Sequence, residues 1–236
     1  MSENERAVIP IESNPAVFTE FAHKLGLKRA WAYFDIYSLT EPDLLAFLPR
    51  PVKAVVLLFP VTANGKMSAN KQVSRAFDVV WFKQSIKNAC GLYAILHSLS
   101  NNRSLLEPNS DLANFLKFQS DNTGSKSTFD DTNTDEFVLN VIKENTQTFS
   151  SGQTDAPEAT ADINLHYITY VEDNGEIFEL DGRSLSGPLC LGKSDPNATD
   201  LVDQDVVRLR VASYMENASK EDVLHFAMLG LCPTWE

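Results

Sequence analysis

Apolar positions recur along the whole chain in two periods. Asn14-Pro15 followed by Val17, Phe18, Phe21, Ala22 and Leu25, with Gly26 after them, predicts an amphipathic helix with start and stop signals. Trp31 to Leu39 reads as a strand, Pro42 to Leu48 as a short helix, and the apolar, β-branched run Val52–Phe59 as a central strand. Residues 61–76 are polar and read as loop; Phe77 to Phe82 reads as a short strand or an extended lead-in. Leu92, Ile95, Leu96 and Leu99 then mark a helix, with Asn88 as N-cap and Cys90 near its second position. Further helices are predicted at Asp111–Phe118, at about Thr134–Glu144 and near Glu221–Leu229.

Between the later helices lie two polar stretches, FQSDNTGSKSTFDDTNT and TQTFSSGQTDAPEATADIN, both read as loop. The second ends just before His166. Structureless loops longer than about 12–15 residues tend to be lids or binding loops. His166–Val171 and Glu176–Gly182, joined by Glu-Asp-Asn-Gly, give the clearest hairpin, and a Leu-Cys-Leu strand follows Pro188. Strands and helices intermixed with a hairpin predict a single α+β, mixed α/β domain over residues 1–236.

The chain has 236 residues, 43% of them hydrophobic, enough for a sizeable core. Its net charge of −12 disfavours nucleic acid and anionic membranes as partners and favours a basic or neutral protein. No apolar run approaches the ~20 residues of a membrane span, and the start has no signal-peptide pattern. Cytoplasm, or nucleus as well, is the expected compartment. Cysteines at 90, 190 and 232 form neither a CxxC pair nor a disulfide framework, and no HExxH or clustered carboxylate spacing occurs. Free thiols, no metal and no cofactor are expected.

Cys90 is the candidate nucleophile, because unpaired N–H groups and the positive dipole end of a helix start favour a thiolate. A buried, inert thiol is the alternative. His166 and Asp181 share one face of the hairpin. If Asp173 and Asn174 form the loop with Gly175 as a bulge, the two face each other directly; if Asn174-Gly175 forms a type I′ loop, Asp181 faces Ile168 and is a diagonal neighbour. Either register suits a carboxylate that orients a catalytic imidazole, or a merely structural pair. His97 lies about 10.5 Å along the helix from Cys90, too far to take its proton, and reads as a helix-face residue. His23 and His225 read as surface or packing residues. Gln84, ahead of the thiol, could join the Cys90 N–H in an oxyanion hole; a surface glutamine is the other reading.

Gln84 followed by NACG at 88–91, His166 heading a strand, ELDGR at 179–183, ESNP at 12–15 and DIYSLTEPDLLAFLPRPVKAVVLLFP at 35–60 resemble the ubiquitin carboxyl-terminal hydrolase family of cysteine proteases. The resemblance covers essentially the whole chain. It implies a papain-like fold with a central, mostly antiparallel sheet flanked by helices and a knotted chain path. It also implies Cys90 as nucleophile, His166 as general base and acid, Asp181 as its orienter and Gln84 as oxyanion donor, with a crossover loop at about 146–163. The implied substrate is ubiquitin, cut at its C-terminal glycine from small or flexible adducts by a monomeric enzyme. A ubiquitin-like substrate of the Nedd8 type, a non-catalytic ubiquitin-binding module and an acyltransferase on the same scaffold stay open.

Overall fold

A computed structural model describes residues 7–61, 78–125, 131–145 and 164–235. The sequence-predicted crossover loop at 146–163 and nearly all of the polar stretch at 61–76 lie outside them. The described helices are α1 (Pro15–Leu25), α2 (Pro42–Leu45), α3 (Cys90–Ser100), α4 (Asp111–Thr123), α5 (Asp131–Glu144) and α6 (Asp205–Glu216). The strands are β1 (Trp31–Asp35), β2 (Ala54–Pro60), β3 (Leu165–Asp173), β4 (Glu176–Leu180), β5 (Leu189–Lys193) and β6 (Ala227–Pro233).

Those strands form one sheet in the order β1-β6-β2-β3-β4-β5, every pairing antiparallel. The α+β expectation with an antiparallel central sheet therefore holds. All seven residues of β2 are buried, because layers cover both faces of the sheet. On one face, Ala54, Val56, Tyr167 and Val171 pack with α1 and α3; on the other, Val55, Leu57, Ile168 and Tyr170 pack with Val207 and Val211 of α6. Each fully buried large apolar side chain contributes roughly 1.5–3 kcal/mol. Both faces of the central strands are thus fixed, and with them the strand ends that carry the site.

Three sequence expectations are corrected. The chain at Glu221–Leu229 makes only a 3₁₀ turn, Asp222–His225, and then enters β6, where the AMLGLCP segment, buried from Leu229 to Cys232, fills the gap between β1 and β2. The first polar stretch continues α4 to Thr123, closed by Gly124 in the left-handed region at φ 66°. Over Asp78–Phe82 no strand forms, so of the two readings of that segment the lead-in to Gln84 is the one that holds. Asn88 does not cap α3: it takes a left-handed conformation at φ 62°, which Asn tolerates, and Ala89 occupies the cap without a side-chain bond.

Candidate active site

Cys90 is the first residue of α3, one position nearer the helix start than the sequence suggests. Its backbone N–H therefore has no partner within the helix, and the positive end of the dipole falls on the thiol. Gly91 lets the helix start sit close to the sheet: a Cβ there would lie 3.2 Å from Ile11 Cβ and 3.3 Å from the Tyr167 ring. Cys90 is only 6% exposed.

The hairpin register settles the two alternatives left by the sequence. Tyr170 pairs with Glu179 and Asp173 with Glu176, leaving Asn174-Gly175 as the loop. Both loop residues have positive φ, 50° and 76°, as a type I′ turn requires. Asp181, one residue beyond β4, is therefore the diagonal neighbour of His166. Its Oδ1 lies 2.6 Å from His166 Nε2, and both residues are buried. The Arg183 N–H donates to the same carboxylate oxygen at 2.8 Å.

The other imidazole nitrogen, Nδ1, is buried and has no partner at hydrogen-bond geometry among the described residues. The Cys90–His166 contact is therefore looser than the His166–Asp181 bond, yet thiol and imidazole are close enough for each to shift the other. Burial pushes the Cys90 thiol up, but His166, the Tyr167 backbone N–H and the Arg183 charge together hold it below its ordinary value. Burial opposes a charge on His166, and Asp181 with Cys90 overcome it and raise the imidazole. Burial likewise pushes Asp181 up, and the bond and charge of His166 with the Arg183 N–H bring it below the usual carboxylate range. All three directions favour thiolate, imidazolium and carboxylate together.

Gln84 is held at two points. Its backbone N–H donates to the Gly182 carbonyl at 2.7 Å, and its Nε2 donates to the Ile86 carbonyl at 2.9 Å. A reversed amide would set two oxygens face to face, so the nitrogen is the atom at that contact. Gly182 has to be small here, since a Cβ on it would lie 2.9 Å from Gln84 Cβ.

Sequence reasoning missed the residues that fasten the extended 80–84 segment. Asn101 brackets Val80, accepting from its N–H at 2.7 Å and donating to its carbonyl at 2.9 Å. His97 Nε2 accepts from the Phe82 N–H at 3.0 Å. This histidine is buried, and burial pushes it down to about 4, so it stays neutral at physiological pH. Trp81 Nε1 donates to the Asp181 carbonyl at 2.8 Å. The segment thus ties the thiol's helix to the end of the hairpin. The one available signal was an aromatic pair directly ahead of Gln84.

His23 bonds Arg29 and the Trp31 carbonyl, and His225 lies in the 3₁₀ turn; neither joins the site. Among the described residues no cluster of His, Cys, Asp and Glu could hold a metal, and no helix is long and apolar enough to cross a membrane.

A buried Cys, His and Asp in this relation, with a glutamine secured beside them, is the geometry of a thiol hydrolase. The family model for ubiquitin carboxyl-terminal hydrolase, family 1, matches residues 8–216. The chain belongs to the ubiquitin carboxyl-terminal hydrolase family. It is 75% identical to ubiquitin carboxyl-terminal hydrolase YUH1 of Saccharomyces cerevisiae over 236 residues, the full length of both. A ubiquitin carboxyl-terminal hydrolase of Drosophila melanogaster is 32% identical over 208 residues, covering 85% of this chain and 87% of that one. The fold is also that of Trichinella spiralis UCH37, solved bound to ubiquitin vinyl methyl ester, with a TM-score of 0.66 and 23% identity over 96% of this chain and 82% of that one. Members of this hydrolase family need a thiol, and the only cysteine beside a histidine–carboxylate pair among the described residues is Cys90.

Proposed function

We propose that this chain releases small or flexible adducts, whether esters, amides, thioesters or short peptides, from the C-terminal glycine of ubiquitin through a thioester intermediate. The observation that carries it is the 2.6 Å bond between His166 and Asp181, made at Nε2 so that Nδ1 is left to the Cys90 thiol. The family and its relatives supply the substrate.

The Cys90 thiolate attacks the glycine carbonyl. The second N–H of Gln84 Nε2, the one not given to Ile86, and the Cys90 backbone N–H take the charge that develops on oxygen. His166, protonated and held by Asp181, gives its proton to the leaving amine or thiol. The same imidazole, now neutral, takes a proton from water as it attacks the thioester, and ubiquitin leaves with a free carboxylate. Asp181 stabilises the imidazolium and fixes the ring without being protonated itself. The acidic surface suits basic residues near the ubiquitin tail and acts mainly on association rate. The protein acts as a monomer in the cytoplasm and nucleus, where its three free thiols are kept reduced.

Ubiquitin ethyl ester, supplied with and without an added amine, tests this reading. Free ubiquitin carboxylate as the main product in both conditions supports a hydrolase. Mainly amide product would make the enzyme an acyltransferase, and binding without turnover would make it a binding module. The same assay with a Nedd8-type ester measures whether the site accepts a ubiquitin-like protein; we propose that it does.

A further inference from the structure

Glu179 is a buried carboxylate, 3% exposed, that the proposed mechanism does not use. Four donors converge on its two oxygens: Arg210 Nε at 2.7 Å and Nη2 at 2.8 Å, Tyr214 OH at 3.0 Å and Tyr170 OH at 3.1 Å. The Arg210 guanidinium also lies over the Tyr214 ring, 4.8 Å from its centroid. Stability does not demand such a group, since well-packed apolar residues can replace a buried ion pair at little or no loss. What a bidentate, fully bonded cluster supplies is fixed geometry.

The geometry it fixes leads to the site by two routes. Through side chains, the anchored Tyr214 ring packs on Phe59 at 4.5 Å between centroids, and Phe59 presents itself edge-on to the His166 imidazole at 5.8 Å and 77°. Phe59 is also the residue directly across from His166 in the β2–β3 ladder. Through the backbone, Glu179 precedes Asp181 by two residues, so the pair that ties α6 to β4 also steadies the strand end from which Asp181 projects.

We propose that Glu179, Arg210 and Tyr214 are positioning residues for the His166–Asp181 pair, setting the wall against which the imidazole lies and the strand end that carries its carboxylate. The inference rests on the reading of Cys90 and His166 as nucleophile and base. None of the three residues touches substrate; each acts through Phe59 or the β4 backbone. An imidazole free to rock loses alignment with the thiol, and misplacement by about 1 Å can cost ~10²-fold in rate.

The test compares the full-length wild type with Tyr214→Ala, Tyr214→Phe and Glu179→Gln, measuring kcat and KM on ubiquitin ethyl ester and the pH dependence of Cys90 alkylation by iodoacetamide. Of the titratable and charged groups around the Cys90–His166 pair, Asp181, Arg183, His97 and Tyr167 are unchanged in every variant. Tyr214→Ala and Glu179→Gln should each lower kcat by about tenfold with KM held within about twofold, and should move the alkylation midpoint toward that of an ordinary thiol. Tyr214→Phe keeps the ring against Phe59 and should recover most of the loss. A lowered Tm with kcat and the alkylation profile unmoved in both variants would make the cluster purely structural and overturn the proposal. A wild-type thiol that alkylates with an ordinary midpoint would instead overturn the nucleophile–base reading beneath it. Glu179→Gln conserves shape, so it decides the matter if Tyr214→Ala does not fold.

Discussion

His166 and Asp181 lie diagonally across the β3–β4 hairpin, and Nε2 of the one is 2.6 Å from Oδ1 of the other. A directly opposed pair would have its side chains stacked at one level. The diagonal offset lets the carboxylate reach the far nitrogen of the ring and leaves Nδ1 for the thiol.

Asp181→Asn should cut kcat/KM by about 10³–10⁴-fold, the scale seen when a triad carboxylate is replaced elsewhere. Its thermal stability carries a pH signature. Asp181 titrates below its unfolded value, so its contribution is present above about pH 4 and is lost as pH falls through the folded value. His166 titrates above its unfolded value, so its contribution is full below about pH 6.5 and is lost as pH rises through the folded value. The Tm deficit of the variant should therefore be largest in the acid-to-neutral window between the two folded values and shrink on either side. A pH-independent deficit would mean that the pair is not ionised.

Gln84→Ala should lower kcat by about 10²–10³-fold, the usual result of removing one oxyanion donor. Gly182→Ala should do part of the same damage from the neighbouring strand end, because its Cβ would meet Gln84 Cβ at 2.9 Å and its backbone nitrogen at 3.4 Å. Single-turnover measurements should show both losses in the acylation step, with ubiquitin affinity little changed. Wild-type acylation in Gly182→Ala would mean that Gln84 is not held where the mechanism needs it.

Away from the site, Asp200 accepts from Arg50 Nε at 2.5 Å and Nη2 at 2.8 Å, and from the Val52 N–H at 2.8 Å. Asp200→Ala leaves Arg50 and that N–H short of a partner at the entry to β2. The expected cost is about 3 kcal/mol, the low end for a broken buried pair because Arg50 keeps Asp203. For a chain of this size that lowers Tm by roughly 6–12 °C. Activity at a temperature where the variant is folded should be unaffected.

The parts of the molecule legible in the sequence are those where one local signal decides the structure. Asn14-Pro15 and Gly26 bracket α1 as expected, with Asn14 Oδ1 capping the Ala16 N–H. Asn174-Gly175 fixed the hairpin to two registers, both of which put His166 and Asp181 on one face. Where a long-range partner decides, the sequence is silent. The segment leading to β6 has helix-like spacing and becomes a strand because β1 and β2 leave a place between them. Asn88 has the chemistry of a cap, but the tight turn before α3 needs a residue that accepts positive φ and takes it for that purpose. His97 looked like an ordinary helix-face residue because its partner, the Phe82 backbone, comes from an extended segment with no periodicity of its own.

The central claim is that Cys90, and no other thiol, attacks the carbonyl of ubiquitin's C-terminal glycine. Cys232 is fully buried and pushed up to about 12 by that burial, Cys190 lies on β5 at the sheet edge, and among the described residues no histidine bonds either thiol. Ubiquitin bearing a C-terminal electrophile should form one covalent adduct, located at Cys90 by mass spectrometry and absent from Cys90→Ala. An adduct at Cys190 or Cys232, or none at all, would contradict the account.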